Sequence, residues 1–477
     1  MSKKILSLLL VFVMLFGVMA LTGCNNNSGN AEPNFVVPET GFNMDEPITI
    51  TFTHTMGTNL QEVLNYHIAE FNKLYPNITI THLSAGGWSD INGQINTEIT
   101  GGTQPNIVYC YPDHVATYNL AKAVVTLDNL IASESKVTLA DGTETILGLT
   151  AEQKADFIES YYDEGAVFGD GLMYTMPLNK SCEVLYYDKT FFEEHELKVP
   201  TTWEEMATVC EQIKAIDPDC YPLGYDAEDN WFITMCEQME SGYTSASGDH
   251  YLFNNDTNKG FVKMIREWYQ KDWITTSELY GGYTSNLFVE QDGTRSYMCI
   301  GYSGGASYQM SNNDTADGSF AFEVGVAQIP QYNANNKKVI SQGPSVCILK
   351  GADTTDAEIM ASWLFVKYLC TNIEFQAEFS MTSGYMPVLK SVTENADYSA
   401  WLNSANGYES LVAMCVKVGI EGRNDYFVSP AFDGSSTART QVGALLIKCI
   451  SEKLEDSEVD AFIDKAFEDA IDECEYN

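Results

Sequence analysis

One short motif in this chain has the spacing of a catalytic serine. Residues 301–305 read G-Y-S-G-G, which fits the G-x-S-x-G turn that presents the nucleophile of an α/β-hydrolase after a β-strand. In that fold, the histidine that activates the serine follows it in the chain. All six histidines here precede Ser303. We therefore interpret the motif as a glycine-rich loop and keep an extracellular hydrolase of glycans or esters as a distant alternative.

Acidic pairs and histidines give no stronger indication of catalysis or of metal binding. Residues 193–194 and 204–205 are Glu-Glu pairs in helical patterns of a very acidic chain, so solvated helix faces explain them better than a glycosidase site. The sequence contains no H-E-x-x-H and no C-x-x-C motif. Residues 313–324 are weakly similar to a calcium loop, but Val324 occupies the position that needs glutamate. We predict no metal and no cofactor.

Composition and charge narrow the class of ligand. Apolar residues are 45% of the 477-residue chain and aromatic residues 12%, which is ample for large cores. The formal net charge is -40, and a field of that sign repels nucleic acid and anionic lipid headgroups. We therefore expect no nucleic-acid partner, and a small anion would need local cations in order to bind.

The cysteines are scattered singly rather than arranged in a recognisable framework. Setting Cys24 aside leaves an odd eleven of the twelve, spread from Cys110 to Cys474 and mostly in apolar stretches. We expect small buried side chains. A disulfide between Cys210 and Cys220 remains an open alternative, since spacing alone does not decide it.

The N-terminus has the pattern of an export signal. Lys3 and Lys4 precede an apolar run at residues 5–20, and small residues lead to Cys24. The run is short for a membrane-spanning helix, and no stop-transfer charges follow it. The cysteine at the cut site resembles the bacterial lipoprotein signal, in which Cys24 is lipidated. We predict a signal peptide at residues 1–23 and a mature protein anchored by lipid on the extracytoplasmic face of the bacterial cell membrane.

Helix and strand patterns alternate along the rest of the chain. A polar stretch at residues 24–44 has little to bury, and we predict a flexible tether there. A β-branched strand at residues 48–53, an amphipathic helix at residues 60–74 and a strand at residues 78–83 follow. Such a unit implies parallel strands joined by a crossover helix. The alternation continues, so the predicted fold class is α/β.

Four regions, in one order along the chain, resemble the extracellular solute-binding proteins of sugar-type ABC importers. The motifs that carry this resemblance lie at residues 101–108, 176–192 with 200–206, 343–346 and 383–388. In that order, they are similar to the family's turn before the cleft, its first crossing between lobes, a strand that begins with glycine, and its final crossing between lobes. Nearly the whole exported chain is covered. Within the family, the resemblance is greatest to the members that bind glycerol 3-phosphate.

The resemblance implies a periplasmic-binding-protein-like fold of type II, with two lobes and a hinge of several crossings. The crossings are expected at residues 176–179, 327–331 and 383–387. The two lobes are expected to comprise residues 45–176 plus 331–383 and residues 180–327 plus 388–477. A ligand would bind between the lobes, and hinge closure would bury it without chemical change.

The resemblance also implies a set of ligand-binding residues. Carried over one by one, they are Trp88, Asp113, Ser181, Trp231, Ser303, Gly343, Tyr385 and Arg439. A sugar has apolar ring faces and a hydroxyl rim, so its pocket needs flat aromatic groups and hydrogen-bonding groups. Arg439 lies near a predicted helix start and is suited to hydroxyls, a carboxylate or a phosphate. The chain departs from the family at Lys180, where a hydroxyl is expected, and around Asp113, where the family carries a glutamate.

The function implied by this resemblance is capture of an extracellular carbohydrate and its delivery to a membrane permease. A binding protein for glycerol 3-phosphate or a related phosphodiester is the alternative. The expected partners are the small ligand, the permease subunits of an ABC importer and, through the lipid on Cys24, the membrane.

Overall fold

The computed structural model describes most of the chain after the first 31 residues. The described ranges are 32–168, 170–290, 293–310, 321–404 and 408–476. The predicted signal peptide, the predicted lipidation site at Cys24 and residues 313–320 of the calcium-like segment lie outside them.

Five strands form the first sheet in the order β2-β1-β3-β13-β6. Their bounds are β1 Ile48–His54, β2 Ile78–Ser84, β3 Ile107–Cys110, β6 Met176–Pro177 and β13 Ser345–Ile348. Strand β1 is parallel to β2 and β3, whereas β13 is antiparallel to β3 and β6. The parallel pairing predicted for the first strand-helix-strand unit is confirmed. A small hairpin of β4 (Lys136–Thr138) and β5 (Glu144–Ile146) lies apart from this sheet.

Seven strands form the second sheet around β7. Their bounds are β7 Ser181–Asp188, β8 Leu223–Tyr225, β9 Ile274–Thr276, β10 Met298–Tyr302, β11 Val324–Gln328, β12 Val339–Gln342 and β14 Tyr426–Phe427. Strand β7 is antiparallel to β10, β11 and β12. The pairs β8–β9, β8–β10 and β12–β14 are parallel.

Helices surround both sheets. In chain order they are α1 Thr58–Leu74, α2 Trp88–Gly101, α3 Pro112–Leu120, α4 Asp128–Ile131, α5 Ala151–Asp156, α6 Glu159–Asp163, α7 Lys189–Glu194, α8 Trp203–Ile216, α9 Glu228–Gln238, α10 Asp256–Gln270, α11 Ser277–Tyr280, α12 Ser285–Val289, α13 Asp356–Thr371, α14 Ile373–Ser383, α15 Lys390–Glu394, α16 Ala396–Ser404, α17 Tyr408–Gly422, α18 Ser435–Ser451 and α19 Val459–Tyr476. Short 3-10 turns occupy Glu164–Ala166, Ser303–Tyr308 and Arg423–Asp425.

Local sequence explains why these helices begin where they do. Helix α13 starts with a capping box, in which the Thr355 hydroxyl accepts from the Glu358 N–H at 3.2 Å and the Glu358 carboxylate accepts from the Thr355 N–H at 2.7 Å. Asn255 caps α10 in a similar way, by accepting from the Asn258 N–H at 3.0 Å. Helix α13 is apolar on nearly all sides and is accordingly buried beside the first sheet.

Each sheet contributes to its own hydrophobic core. Ile50, Phe52 and Phe365 belong to the first core, and Tyr186 and Ile300 belong to the second. Burial of large apolar side chains is the main favourable contribution to the stability of both.

The prediction of a flexible tether is wrong for the second half of residues 24–44. Phe35 and Phe42 are buried in the first core. The Asn34 side chain donates to the Val124 carbonyl at 2.7 Å, and the Asn34 backbone N–H donates to the Thr126 hydroxyl at 2.8 Å. These buried aromatic side chains and the Asn34 hydrogen bonds hold the segment on the first core.

The boundaries of the two predicted lobes differ from the observed strand pairing. Strand β12 lies in the range predicted for the first lobe, yet Ser341 pairs with Cys182 of β7. The chain therefore leaves the second sheet at Gly343, not near residues 327–331, because Val339 and Ile340 are buried in the second core. Five residues predicted for the second lobe are instead buried in the first core, namely Val388, Leu389, Val392, Tyr398 and Val416.

The cysteines of the described ranges are all buried and unpaired. Cys210 and Cys220 therefore do not form the disulfide that was left open, and the expectation of small buried side chains is confirmed. Among the helices of the described ranges, none combines the length and the apolar character needed to cross a bilayer.

Candidate ligand-binding site

A cleft of about 1470 Å³ is lined by residues that belong to both halves of the fold. Helices α2 and α3 follow strands of the first sheet and contribute to one wall. Helices α9 and α18, which contact each other, contribute to the opposite wall. This volume is large enough for a small organic ligand.

The structure brings six of the eight predicted site residues together in this cleft. They are Trp88, Asp113, Ser181, Gly343, Tyr385 and Arg439. These residues are separated by up to about 350 positions in the chain, so only the fold makes them neighbours.

Trp231, one of the eight predicted ligand-binding residues, is instead a core residue. It is fully buried and stacks on Tyr225, with ring centroids 4.5 Å apart. Helix α9 turns this side chain towards the second core, whereas Asp229, two positions earlier, lines the cleft. Residues two positions apart on a helix point in different directions, and the sequence did not show which of these two faces the core.

Ser303 lies next to the cleft lining but is fully buried. Its hydroxyl is 3.0 Å from the Ser181 hydroxyl and accepts from the Cys182 backbone N–H at 3.4 Å. No histidine is among the hydrogen-bond partners of Ser303 in the described part of the chain. Its role in this geometry is to position Ser181, which does line the cleft.

Two glycine-containing turns position the predicted ring faces. Gly86 has a φ of +86°, and the Gly87 N–H donates to the Asp90 carboxylate at 2.8 Å, so α2 begins at Trp88. The Trp88 ring stacks on Tyr111 at 4.1 Å between centroids. This pair presents a flat apolar surface at the cleft.

Tyr385 is positioned by the end of α14. Gly384 adopts a φ of +83° and closes the helix, with its N–H donating to the Ser380 carbonyl at 2.9 Å. Tyr385 follows directly and packs near Phe379. A left-handed helix cap therefore positions Tyr385 at the cleft.

Arg439 is surrounded by hydrogen-bond acceptors. Its Nε lies 3.4 Å from Asp113, its Nη1 lies 3.1 Å from Asp229, and Nη1 also donates to the Asn230 side-chain oxygen at 2.5 Å. Burial opposes its charge, but the Asp229 and Asp113 carboxylates outweigh burial and hold the pKa of Arg439 above its usual value. The guanidinium is charged, and its charge is balanced within the protein.

Asn230 extends this network to the second sheet. Its side-chain oxygen also accepts from Gln342 at 2.9 Å, and its amide donates to the Tyr302 hydroxyl at 3.2 Å. Tyr302 and Gln342 both line the cleft. Sequence reasoning missed Asp229, Asn230 and Gln342, because their roles depend on strands and helices that are distant in the chain.

The floor of the cleft contains a buried ion pair. Lys180 Nζ lies 2.7 Å from Glu164 Oε1, and the two side chains are 0% and 3% exposed. A lysine in place of the hydroxyl expected at position 180 would add a positive charge to the site. The structure corrects this expectation, because Glu164 neutralises Lys180 and it is Glu164 that lines the cleft.

No group of three or more potential metal ligands occurs within the described ranges. His114, which lines the cleft, is buried, and burial lowers its pKa, so its imidazole is neutral near pH 7. The chemistry of the lining is therefore hydrogen bonding and ring stacking.

Two α/β halves with separate cores and a polar, aromatic cleft lined by both define a solute-binding protein of the type II, periplasmic-binding-protein-like class. The sequence model of the bacterial extracellular solute-binding protein family matches residues 67–406, and the chain belongs to that family. The resemblance stated from the sequence is thus confirmed.

Particular relatives support the same assignment. The chain is 23% identical over 360 residues to the sn-glycerol-3-phosphate-binding periplasmic protein UgpB of Yersinia pestis, which covers 72% of this chain and 75% of the relative. Among solved structures, the GacH receptor of Streptomyces glaucescens, solved unliganded and with acarbose, aligns with a TM-score of 0.68 at 15% identity. UgpB of Mycobacterium tuberculosis, solved with glycerophosphocholine, aligns with a TM-score of 0.68 at 16% identity. Both alignments cover 89% of this chain and 98% of the other.

Proposed function

We propose that this protein binds a neutral carbohydrate in the cleft and delivers it to the permease of an ABC importer. The observation that carries the proposal is the state of Arg439, whose charge is already balanced by Asp113 and Asp229. A phosphate would have to compete with two carboxylates for this guanidinium, whereas a hydroxyl can accept from it without displacing them.

The charges around the cleft support the same ligand class. Six acidic residues line it in the described structure, and they are Asp113, Glu164, Asp226, Glu228, Asp229 and Glu278. The basic residues Arg439 and Lys448 accompany them, and Lys448 is paired with Asp469 at 3.3 Å. The local field therefore has the sign of the net charge of -40 and disfavours an anion.

Unsatisfied polar atoms support a ligand rich in hydroxyl groups. Six cleft-lining residues of the described ranges each carry one buried side-chain atom without a hydrogen-bond partner, namely His114, Glu164, Tyr243, Gln309, Ser341 and Ser429. Buried polar groups in folded proteins are almost always paired. Sugar hydroxyls both donate and accept, so a single ligand type is able to satisfy this mixed set.

A binding panel tests the proposed function. Wild-type protein is titrated with neutral mono- and oligosaccharides, sn-glycerol 3-phosphate and glycerophosphocholine, with melting temperature and calorimetry as readouts. We expect stabilisation by a neutral saccharide, since ligands that bind the native state raise its melting temperature. Trp88→Ala should weaken that binding at least about tenfold through loss of ring stacking. Trp273→Ala, which changes a tryptophan outside the cleft lining, serves as the matched control.

Stabilisation by the two phosphate compounds alone would contradict the proposal. That outcome would favour the second candidate, a binding protein for glycerol 3-phosphate or a related phosphodiester. One observation supports this candidate: Arg439 Nη2 has no hydrogen-bond partner in the described part of the chain, and arginine binds phosphate well. The name of the Yersinia relative is consistent with it.

The proposal includes a lipid anchor at Cys24 and permease subunits as partners. The export pattern at residues 1–23 and the family assignment support these two elements. Mass spectrometry of protein purified from a bacterial membrane fraction should detect diacyl or triacyl modification on an N-terminal Cys24, because a single acyl chain binds a membrane weakly. A soluble mature protein whose N-terminus lies elsewhere would refute the anchor.

A further inference from the structure

The ion pair between Glu164 and Lys180 is the most buried pair of opposite charges among the described residues. Removing two charges from water is costly, so such a pair persists only where good geometry and further hydrogen bonds compensate for it. Lys180 has both: Nζ is 2.7 Å from Glu164 Oε1 and donates to the Ser345 hydroxyl at 3.3 Å.

Only one of the two carboxylate oxygens of Glu164 has a hydrogen-bond partner within the described ranges. Oε1 accepts from Lys180, whereas Oε2 is buried and has no hydrogen-bond partner within the described ranges. Glu164 is one of the residues that line the cleft, and Lys180 is not. A charged acceptor left unpaired at the floor of a binding cleft needs a donor, and the occupant of the cleft is placed to provide one.

The pair also lies where segments that connect the two sheets meet. Lys180 directly precedes β7, and its backbone exchanges two hydrogen bonds with Met386, of 3.0 Å and 2.6 Å. Ser345, the other partner of Lys180, is the first residue of β13 in the first sheet. A ligand that contacts Glu164 is thus connected through Lys180 to the segments around Ser345 and Met386, which run between the sheets.

We infer that Glu164 accepts a hydrogen bond from the innermost donor group of the ligand and selects against ligands that are anionic at that end. This inference rests on the proposed carbohydrate function and identifies a specificity residue that the family resemblance did not indicate. A hydroxyl or an ammonium group supplies the missing donor. A phosphate or carboxylate at the same place brings two negative charges together in a site with little water.

The test requires a variant that removes the carboxylate without leaving Lys180 as an unpaired buried charge, which would be strongly destabilising. The double substitution Glu164→Gln with Lys180→Met removes both charges and nearly conserves volume. Because Lys180 does not line the cleft, its replacement affects ligand contacts only through residue 164. The matched control is Glu159→Gln, an exposed glutamate on the preceding helix α6.

The wild type, the double variant and the control are each titrated with the best neutral saccharide from the panel and with sn-glycerol 3-phosphate, which has a terminal anionic group, after melting temperatures confirm that they are folded. We expect the saccharide affinity of the double variant to fall about tenfold or more, since hydrogen bonds to charged groups are the strong ones. Its affinity for sn-glycerol 3-phosphate should be unchanged or higher. The control should behave as the wild type.

Two different failures are distinguishable. If the wild type binds a neutral saccharide and the double variant binds it equally well, Glu164 is not a specificity residue and the proposed function stands. If the wild type binds only the phosphate compound, the proposed carbohydrate function is wrong, and the inference about Glu164 is wrong with it.

Discussion

At the scale of single residues, the surroundings of a charged side chain decide what it can bind. Arg439 is an arginine near a helix start and on that basis suits a phosphate. Asp113 and Asp229 surround it, so the three side chains together carry a net charge of -1. Lys180 is a second cation whose charge is compensated within the protein, because it forms an ion pair with Glu164. An arginine and a lysine without neighbouring carboxylates would instead favour an anionic ligand.

A buried histidine makes the stability of the protein sensitive to acid. His54 Nδ1 accepts from the Met56 N–H at 3.1 Å, so Nε2 carries the proton and donates to His82 Nδ1 at 2.9 Å. Burial, and then the neighbouring His82, lower the pKa of His54 from 6.5 to about 3. The native state therefore holds His54 neutral at a pH where the unfolded chain takes up a proton.

We predict that the free energy of unfolding falls by about 2 kcal/mol between pH 7 and pH 5 through His54 alone. The sign follows from the lowered native pKa: this stability is present above about pH 6.5 and is lost as the pH falls towards 3. Urea unfolding at both pH values measures it. His54→Asn should reduce the pH dependence, and the exposed His195→Asn should leave it unchanged. Equal pH dependence in all three proteins would refute the prediction.

At the scale of secondary structure, β12 and Gly343 determine how the chain passes from one sheet to the other. Strand β12 pairs with β7, and β13 begins only three residues after β12 ends. The turn at Gly343 has a φ of +110°, and a Cβ there would lie 2.7 Å from Lys180 Cα and from Ser181 N. Only glycine fits this conformation and this close approach of backbones.

Gly343→Ala should therefore destabilise the protein by about 2 to 3 kcal/mol, because it combines backbone strain with a clash against fixed backbone atoms. Chemical unfolding measures the change. Gly260→Ala is the matched control, since Gly260 is exposed within α10 and a Cβ there meets nothing within 4 Å. The control should be stabilised by about 0.5 to 1 kcal/mol. A Gly343 variant as stable as the wild type would show that the turn tolerates a side chain.

At the scale of the whole molecule, Arg439 connects the two walls of the cleft. Asp113 begins α3, which follows the first sheet, whereas Arg439 and Asp229 lie on α18 and α9, which pack on the second core. The contact between Arg439 and Asp113 is thus a link across the cleft, and the contact with Asp229 lies within one wall. On the proposed two-lobe arrangement, the first contact favours a closed form and the second does not.

We predict that Asp113→Asn shifts the ligand-free protein towards an open form, with a larger radius of gyration in small-angle X-ray scattering at low salt. A partly exposed ion pair contributes up to about 1 kcal/mol, which corresponds to a change of about fivefold in the ratio of the two forms. Asp229→Asn is the control, since it removes a carboxylate from the same arginine without breaking the link. Equal radii of gyration for the wild type and both variants would contradict the prediction.

The class of this protein could be predicted from local sequence patterns. The alternation of strand and helix patterns indicated an α/β fold, and the ordered motifs indicated the solute-binding family, because periodic burial and turn chemistry are local properties. Six of the eight predicted site residues lie in one cleft, and three of them, Ser181, Gly343 and Tyr385, belong to the ordered family motifs.

The folded molecule was needed to show which charges are free, which helix face is buried and where the chain passes from one sheet to the other. Trp231 lies in the core and not in the cleft, and β12 belongs to the second sheet, because contacts between distant segments outweigh local pattern. The partners of Arg439 and Lys180 are 16 to 326 positions away in the chain. Electrostatic environment depends on such distances in space, so it is a property of the folded molecule and is not encoded in any one segment.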